Sequence, residues 1–234
     1  MSREIEKDYQ FAVQFFNQYS LKAVIANPKC HTQMKCMHRK LFSFMVFVNE
    51  MEHINCLDKI CLVYFREVCS DLILAFFCWV NGAYKSVDLH MRSSIENFLK
   101  ATTYSEEKKI IEQKNVYEVF NLAEKTVCYS NSFSRKRFEL LSSAYSNLCA
   151  TVHGALDKLC NIGGLLKFPQ YNEVEAKETS DVFNKIVGAY LGIIYLSYYE
   201  KIYQMHELNI DLFLKGLERH EKAEIYKIKT EIDY

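Results

Sequence analysis

Helix-breaking residues are scarce in this chain, which has seven glycines and two prolines among 234 residues. Because glycine and proline mark most turns, this scarcity favours long helices joined by few turns. It argues against a barrel or a sandwich of many short strands. Half of the residues are hydrophobic and 14% are aromatic. That is enough apolar surface to offset the entropy lost when a single large core is ordered.

Apolar residues recur at steps of three and four along most of the chain, which is the spacing of helices with one buried face. The polar stretch 129–136 lacks this pattern and predicts a loop. We predict one all-α domain over residues 1–234, a bundle of about five to seven helices. The pattern predicts long helices over residues 3–26, 30–54, 58–80, 81–103, about 138–159 and 175–206. It also predicts one or two short helices within 105–127 and a charged C-terminal helix at about 210–231.

The charge balance and the cysteines bear on location and partners. The net charge is zero and the pI is about 7, so the whole chain has no electrostatic signature of binding to nucleic acid or an anionic membrane. Nine scattered cysteines predict free thiols in a reducing cytoplasm. The longest apolar runs, Leu72–Val80 and Ile186–Tyr199, are shorter than the roughly 20 residues that span a bilayer. We therefore expect a cytoplasmic protein that does not associate with membranes.

One cluster has side chains that could bind a metal: Cys30, His31, Cys36 and His38. A structural zinc site usually needs a closely spaced cysteine pair followed by a second pair farther along the chain, and this spacing does not provide one. Neither a glycine-rich phosphate loop nor a His-Glu-x-x-His helix occurs. We therefore favour ordinary helix packing for this cluster and expect neither a metal ion nor a cofactor.

The helix predicted over residues 81–100 has a face on which Asp88, Arg92, Glu96 and Lys100 alternate in sign at four-residue spacing. Such residues can form a solvated ladder of ion pairs, each stabilising by about 0.2–0.5 kcal/mol. Arg92 and Glu96 can instead form half of a phosphate-binding site. A later polar segment contains His153, which titrates near neutral pH and is the natural candidate for a general acid or base.

Two short motifs in these segments resemble those of the HEPN superfamily (higher eukaryotes and prokaryotes nucleotide-binding), which consists of small all-α proteins. The first comprises Gly82, Tyr84, Ser86, Arg92 and Glu96, and the second is Val152-His153-Gly154. The resemblance implies a HEPN-like bundle and a metal-independent endoribonuclease of bacterial phage defence, abortive infection or toxin–antitoxin systems. It also implies a homodimer in which two copies of an Arg-x4–6-His motif form one composite cleft.

The chain departs from this pattern, because Ser146, Asn147 and Leu148 occupy the positions where the motif requires arginine. We hypothesise that Arg92 supplies the missing cation, that His153 transfers a proton, and that Glu96 and Asn147 support them.

A second candidate RNA contact is the basic run formed by Arg135, Lys136 and Arg137, which a solvated loop also explains. The incomplete motif leaves another function open: a non-catalytic HEPN-like module that assembles with an antitoxin or another defence-system protein.

Overall fold

The helices begin and end mostly where the sequence places start and stop signals. The computed structural model describes residues 2–18, 27–152 and 171–232. Within these ranges it contains ten α-helices, two short 3₁₀ turns and no strand, which confirms the predicted all-α class. The helices are α1 (Arg3–Gln18), α2 (Pro28–His53), α3 (Lys59–Val80), α4 (Tyr84–Thr103), α5 (Val116–Glu124), α6 (Ser132–Val152), α7 (Glu173–Ser197), α8 (Tyr199–Ile202), α9 (Glu207–Leu214) and α10 (Arg219–Ile232).

Side-chain caps fix several of these boundaries. The carboxylate of Asp58 accepts a 2.8 Å hydrogen bond from the backbone N–H of Ile60 and starts α3, as the sequence predicted. Asn172 caps α7 in the same way through the N–H of Val174 at 3.0 Å. Gly82 has a φ of 70°, a value that glycine adopts without strain, and it turns the chain between α3 and α4.

Three boundaries differ from the sequence predictions. The expected loop over 129–136 is partly helical, because α6 already begins at Ser132, where the Asn131 side chain accepts from the N–H of Ser134. The helix expected over 175–206 ends at Ser197, and the short α8 follows. The helix expected over 210–231 is divided into α9 and α10. The predicted segments 19–26 and 153–170 lie outside the described residues.

Helices α4 and α7 lie at the centre of the core. The rings of Phe98 and Tyr190 stack with centroids 4.1 Å apart, and the Tyr190 hydroxyl lies 2.9 Å from the hydroxyl of Ser94. The indole N–H of Trp79 in α3 donates to the carbonyl of Ala176 at 2.8 Å. The tyrosine-rich stretch 190–203 could be core or interface from its sequence alone. Its beginning is core, whereas Tyr203 at its end is exposed.

Most of the buried hydrophobic side chains belong to one cluster, to which all ten described helices contribute. Among the described helices, none combines the length and the apolar character that crossing a bilayer requires.

Candidate functional site

Four side chains form the contact between the middle of α4 and the C-terminal half of α6. We call Arg92, Glu96, Tyr145 and Cys149 the Arg92 cluster. In each helix the two members are four residues apart, and this spacing places them on one face. The guanidinium of Arg92 lies 3.3 Å from Glu96 Oε1 and donates to Cys149 Sγ at 3.3 Å. It also lies 5.0 Å from the centroid of the Tyr145 ring.

The Tyr145 hydroxyl donates a 2.7 Å hydrogen bond to Glu96 Oε1, which closes the cluster. Burial raises the pKa of Tyr145, and its hydrogen bond to Glu96 raises that pKa further. Burial lowers the pKa of Arg92, but the Cys149 hydrogen bond and the charges of Tyr145 and Glu96 outweigh this effect, so the net shift is upward. At neutral pH the cluster therefore presents a cationic guanidinium and a neutral phenol. The Arg92 side chain is 31% exposed, so one edge of its charge faces solvent.

The residues of the predicted ion-pair ladder also contact neighbouring helices. Arg92 pairs with Glu96 on its own helix, whereas Asp88 accepts a 2.8 Å hydrogen bond from Thr151 near the end of α6. The ammonium of Lys100 lies 5.7 Å from the centroid of the Tyr64 ring in α3. Asp88, Arg92 and Lys100 thus connect α4 to the helices on either side of it.

Asn147 does not join the Arg92 cluster. Two residues along an α-helix correspond to a rotation of about 200°, so Asn147 faces away from Tyr145. It lines a cavity of about 450 Å³ between α6 and α7, together with Asp88 and Thr151. Tyr145 and Cys149 line a different cavity, of about 620 Å³, between α5 and α6. The supporting role predicted for Asn147 therefore lacks a direct contact with Arg92.

The basic run does not share one face, because successive positions on a helix are about 100° apart. Arg135 lines the cavity between α5 and α6, whereas Lys136 and Arg137 line another cavity, beside α7. Arg135 forms ion pairs with Glu124 and Glu139. Lys136 is exposed. Arg137 is largely buried and pairs with Glu221 at 2.6 Å. The structure therefore does not gather these three cations into a single patch, as a flexible loop could have done.

His153 lies outside the described residues, so its predicted meeting with Arg92 stays a prediction. Val152, which directly precedes it in the sequence, is the last described residue of α6. The turn of α6 that ends there contains Cys149 and Thr151, which bond to Arg92 and Asp88. The last described turn of α6 is therefore in contact with α4, the helix that contains Arg92.

The cysteine–histidine cluster has other partners. Nδ1 of His31 lies 2.7 Å from the Tyr9 hydroxyl, and Nε2 of His38 lies 2.6 Å from an oxygen of Asp8. Burial raises the pKa of Cys30 to about 12, so its thiol stays protonated at neutral pH. Within the described ranges, no three histidine, cysteine, aspartate or glutamate side chains converge in a way that could hold a metal ion.

Comparison with known proteins assigns no relative, since no family model, curated protein or solved structure matches the chain. The site must therefore be interpreted from its own geometry. Sequence reasoning missed Tyr145 and Cys149, although their four-residue spacing on a predicted helix was the available signal. Their partners on α4 are about fifty residues away in the chain, and only the packed fold identifies them.

Proposed function

We propose that this protein is a HEPN-like effector that cleaves RNA without a metal ion, in bacterial phage defence or a toxin–antitoxin system. We further propose that it acts in the cytoplasm as a homodimer. One observation carries the proposal: Arg92 and Asp88 of α4 bond to Cys149 and Thr151 of α6. Cys149 and Thr151 lie within the three residues that precede Val152-His153-Gly154 in the sequence.

In this proposal Arg92 binds the scissile phosphate and stabilises its charge in the transition state. His153 moves a proton at the ribose 2′-hydroxyl or the leaving oxygen. Glu96 and Tyr145 act as positioning residues, because together they hold the guanidinium from two sides. A thiol is a weak hydrogen-bond acceptor. A phosphate oxygen can therefore replace Cys149 as the acceptor for Arg92 at little cost.

The test is RNA cleavage by the purified full chain in the presence of EDTA, together with growth arrest on expression. We expect Arg92→Ala and His153→Ala each to abolish both activities. Arg66→Ala is a matched control, because Arg66 is an exposed arginine that pairs with Glu52 on another helix. It should behave as wild type. Cleavage at the wild-type rate by either site variant would remove that residue from the mechanism.

A second function also has an observation in its favour. The Arg92 guanidinium already contacts Glu96, Cys149 and Tyr145 within the chain, as expected of a residue that ties α4 to α6. The alternative is a non-catalytic HEPN-like module that assembles with a partner protein. It predicts that Arg92→Ala lowers the melting temperature, and that the wild type neither cleaves RNA nor arrests growth. RNA cleavage by the wild type that is lost in His153→Ala would exclude this alternative.

A further inference from the structure

A basic cavity lies away from the Arg92 cluster, where α2, α6, α7 and the start of α10 meet. Its volume is about 340 Å³, and we call it the Lys40 cavity. Four lysine and arginine side chains and two carboxylates line it, so basic side chains are in excess. The cations are Lys40, Lys136, Arg137 and Lys185, and the carboxylates are Glu218 and Glu221.

Lys40 is the unusual member of this set, because its side chain is buried and only 8% of the residue is exposed. Its ammonium donates one hydrogen bond, 3.3 Å long, to the carbonyl of Gly216. No carboxylate in the described part of the chain lies within ion-pairing distance of it. Burial lowers its pKa, and the charges of Glu221 and Glu218 only partly oppose that effect. A buried ammonium without a counterion is unfavourable, and an anion in the cavity would relieve this cost.

Two glycines of α7 make room for the buried cations. A Cβ atom at Gly188 would lie 3.0 Å from Lys40 Nζ, and one at Gly192 would lie 2.5 Å from Arg137 Nε. Four residues separate these glycines, so they share one face of the helix. The Lys40 and Arg137 side chains therefore lie directly against the α7 backbone, in space that any larger residue would fill.

The same face of α7 has an unpartnered polar atom. Oδ1 of Asn184, four residues before Gly188, is buried and has no hydrogen-bond partner among the described residues. Arg137 Nε is also buried and lacks a partner in the described ranges. Buried polar atoms are nearly always bonded, and an exception calls for an explanation such as a missing ligand. Asn184 and Arg137 both line the Lys40 cavity.

We propose that the Lys40 cavity binds a phosphate group, either as inorganic phosphate or as part of a small phosphate monoester. A phosphate dianion compensates two of the cations and offers several oxygens to the Lys40 and Lys185 ammonium groups. A phosphate group that carries one proton also provides an O–H donor for the unpartnered Oδ1 of Asn184. A carboxylate provides one charge and, when ionised, no donor. The proposal does not rest on RNA cleavage, because none of the lining residues contacts Arg92.

The experiment measures the melting temperature and binding enthalpy of the full chain with inorganic phosphate, against sodium chloride at equal ionic strength. A ligand that binds only the folded state raises the melting temperature, so we expect phosphate to raise it more than chloride does. Lys40→Met removes the buried charge and should weaken phosphate binding at least ten-fold. Lys185→Met should weaken it several-fold without disturbing the core, because Lys185 is exposed.

Lys177→Met is the matched control, because Lys177 is an exposed lysine on the same helix outside the cavity. It should bind phosphate as the wild type does. The same measurement with ribose 5-phosphate distinguishes the two possible ligands. If ribose 5-phosphate binds more tightly than inorganic phosphate does, the ligand is a monoester. Equal effects of phosphate and chloride on the wild type would overturn the proposal. So would phosphate binding in Lys40→Met and Lys185→Met that matches Lys177→Met.

Discussion

At the scale of single residues, the hydroxyl of Tyr145 makes one of the bonds that hold α4 and α6 together. We expect Tyr145→Phe to lower the free energy of unfolding by about 1 kcal/mol, because it removes a hydrogen bond to a partly exposed carboxylate. Urea denaturation of the full chain measures the change. Tyr117→Phe is the control, because Tyr117 is 75% exposed and should lose nothing. Equal stability of the two variants would contradict the role given to this bond.

Buried phenols and thiols make a prediction about alkaline pH. Burial raises the pKa of Tyr9, Tyr84 and Cys69 to about 12 and that of Tyr190 well above 10. The unfolded chain releases these protons at lower pH than the folded chain, so folding stability is complete below the unfolded pKa values. It is lost as the pH rises from about 9 towards 12.

Lys40 contributes to the pH dependence of folding stability with the opposite sign. Its lowered folded pKa means that the unfolded state holds more protons just below pH 10.5. One lysine is outnumbered by the tyrosines and cysteines, so the urea midpoint should fall steadily above about pH 9. Phenolate absorbance followed in parallel should show most tyrosines ionising together with unfolding. A constant midpoint up to about pH 11 would contradict these shifts.

Spacing along one helix was enough to predict some residue-level contacts. The four-residue step from Arg92 to Glu96 predicted a pair on one face, and the two side chains are 3.3 Å apart. The start of a helix at residue 58 was likewise predicted from the sequence, and Asp58 caps it. The contacts of Arg92 with Tyr145 and Cys149 were not, because they depend on which helices pack together.

At the scale of helices, the turn between α9 and α10 depends on a close approach at Gly216. A Cβ there would lie 2.6 Å from the Cβ of Ser43 and 2.7 Å from Cδ1 of Leu191. Because both neighbours belong to packed helices, we expect Gly216→Ala to cost about 1–3 kcal/mol of unfolding free energy.

Gly188→Ala is the comparison variant, measured in the same urea experiment. Its new methyl group meets only the far end of the Lys40 side chain, which has to shift by a few tenths of an ångström, and alanine gains up to about 1 kcal/mol of helix propensity over glycine. It should therefore be close to neutral for stability. A larger loss for Gly188→Ala than for Gly216→Ala would show that the α9–α10 turn can relax.

The helix predicted over 210–231 is divided into α9 and α10, and this case shows why some helix boundaries were predicted correctly and others were not. Asp58 and Gly82 are local signals, and both boundaries were found from sequence. The break at Gly216 coincides with apolar positions that continue the helical period through Leu212, Phe213 and Leu217. It is required by contact with α2 and α7, including the bond from the Ser43 hydroxyl to the Leu212 carbonyl. Gly216 is a local turn signal like Gly82, but the apolar period that continues across it favoured one uninterrupted helix.

At the scale of the whole molecule, the fold class followed from composition and period alone, whereas the cavities did not. Few breakers and a large apolar fraction leave little alternative to a helical bundle. The Lys40 cavity, by contrast, joins residues from positions 40, 136 and 185, each of which resembles an ordinary surface lysine in sequence. The excess of basic side chains in this cavity also cannot be predicted from the sequence, because the net charge of the chain is zero.

The proposed dimer leads to a prediction about which subunit supplies each catalytic group. Arg92 bonds to Cys149 of its own chain, four residues before His153 in the sequence. We therefore expect Arg92 and His153 to work as a pair within one subunit.

When Arg92→Ala and His153→Ala are co-expressed and purified as mixed dimers, neither subunit has both groups, so RNA cleavage should stay absent. If the groups came from different subunits, each mixed dimer would contain one complete cleft. Because a wild-type dimer would then have two such clefts, the purified mixed dimers would have roughly half of the wild-type activity. Light scattering confirms that dimers form, and the cleavage rate decides between the two arrangements.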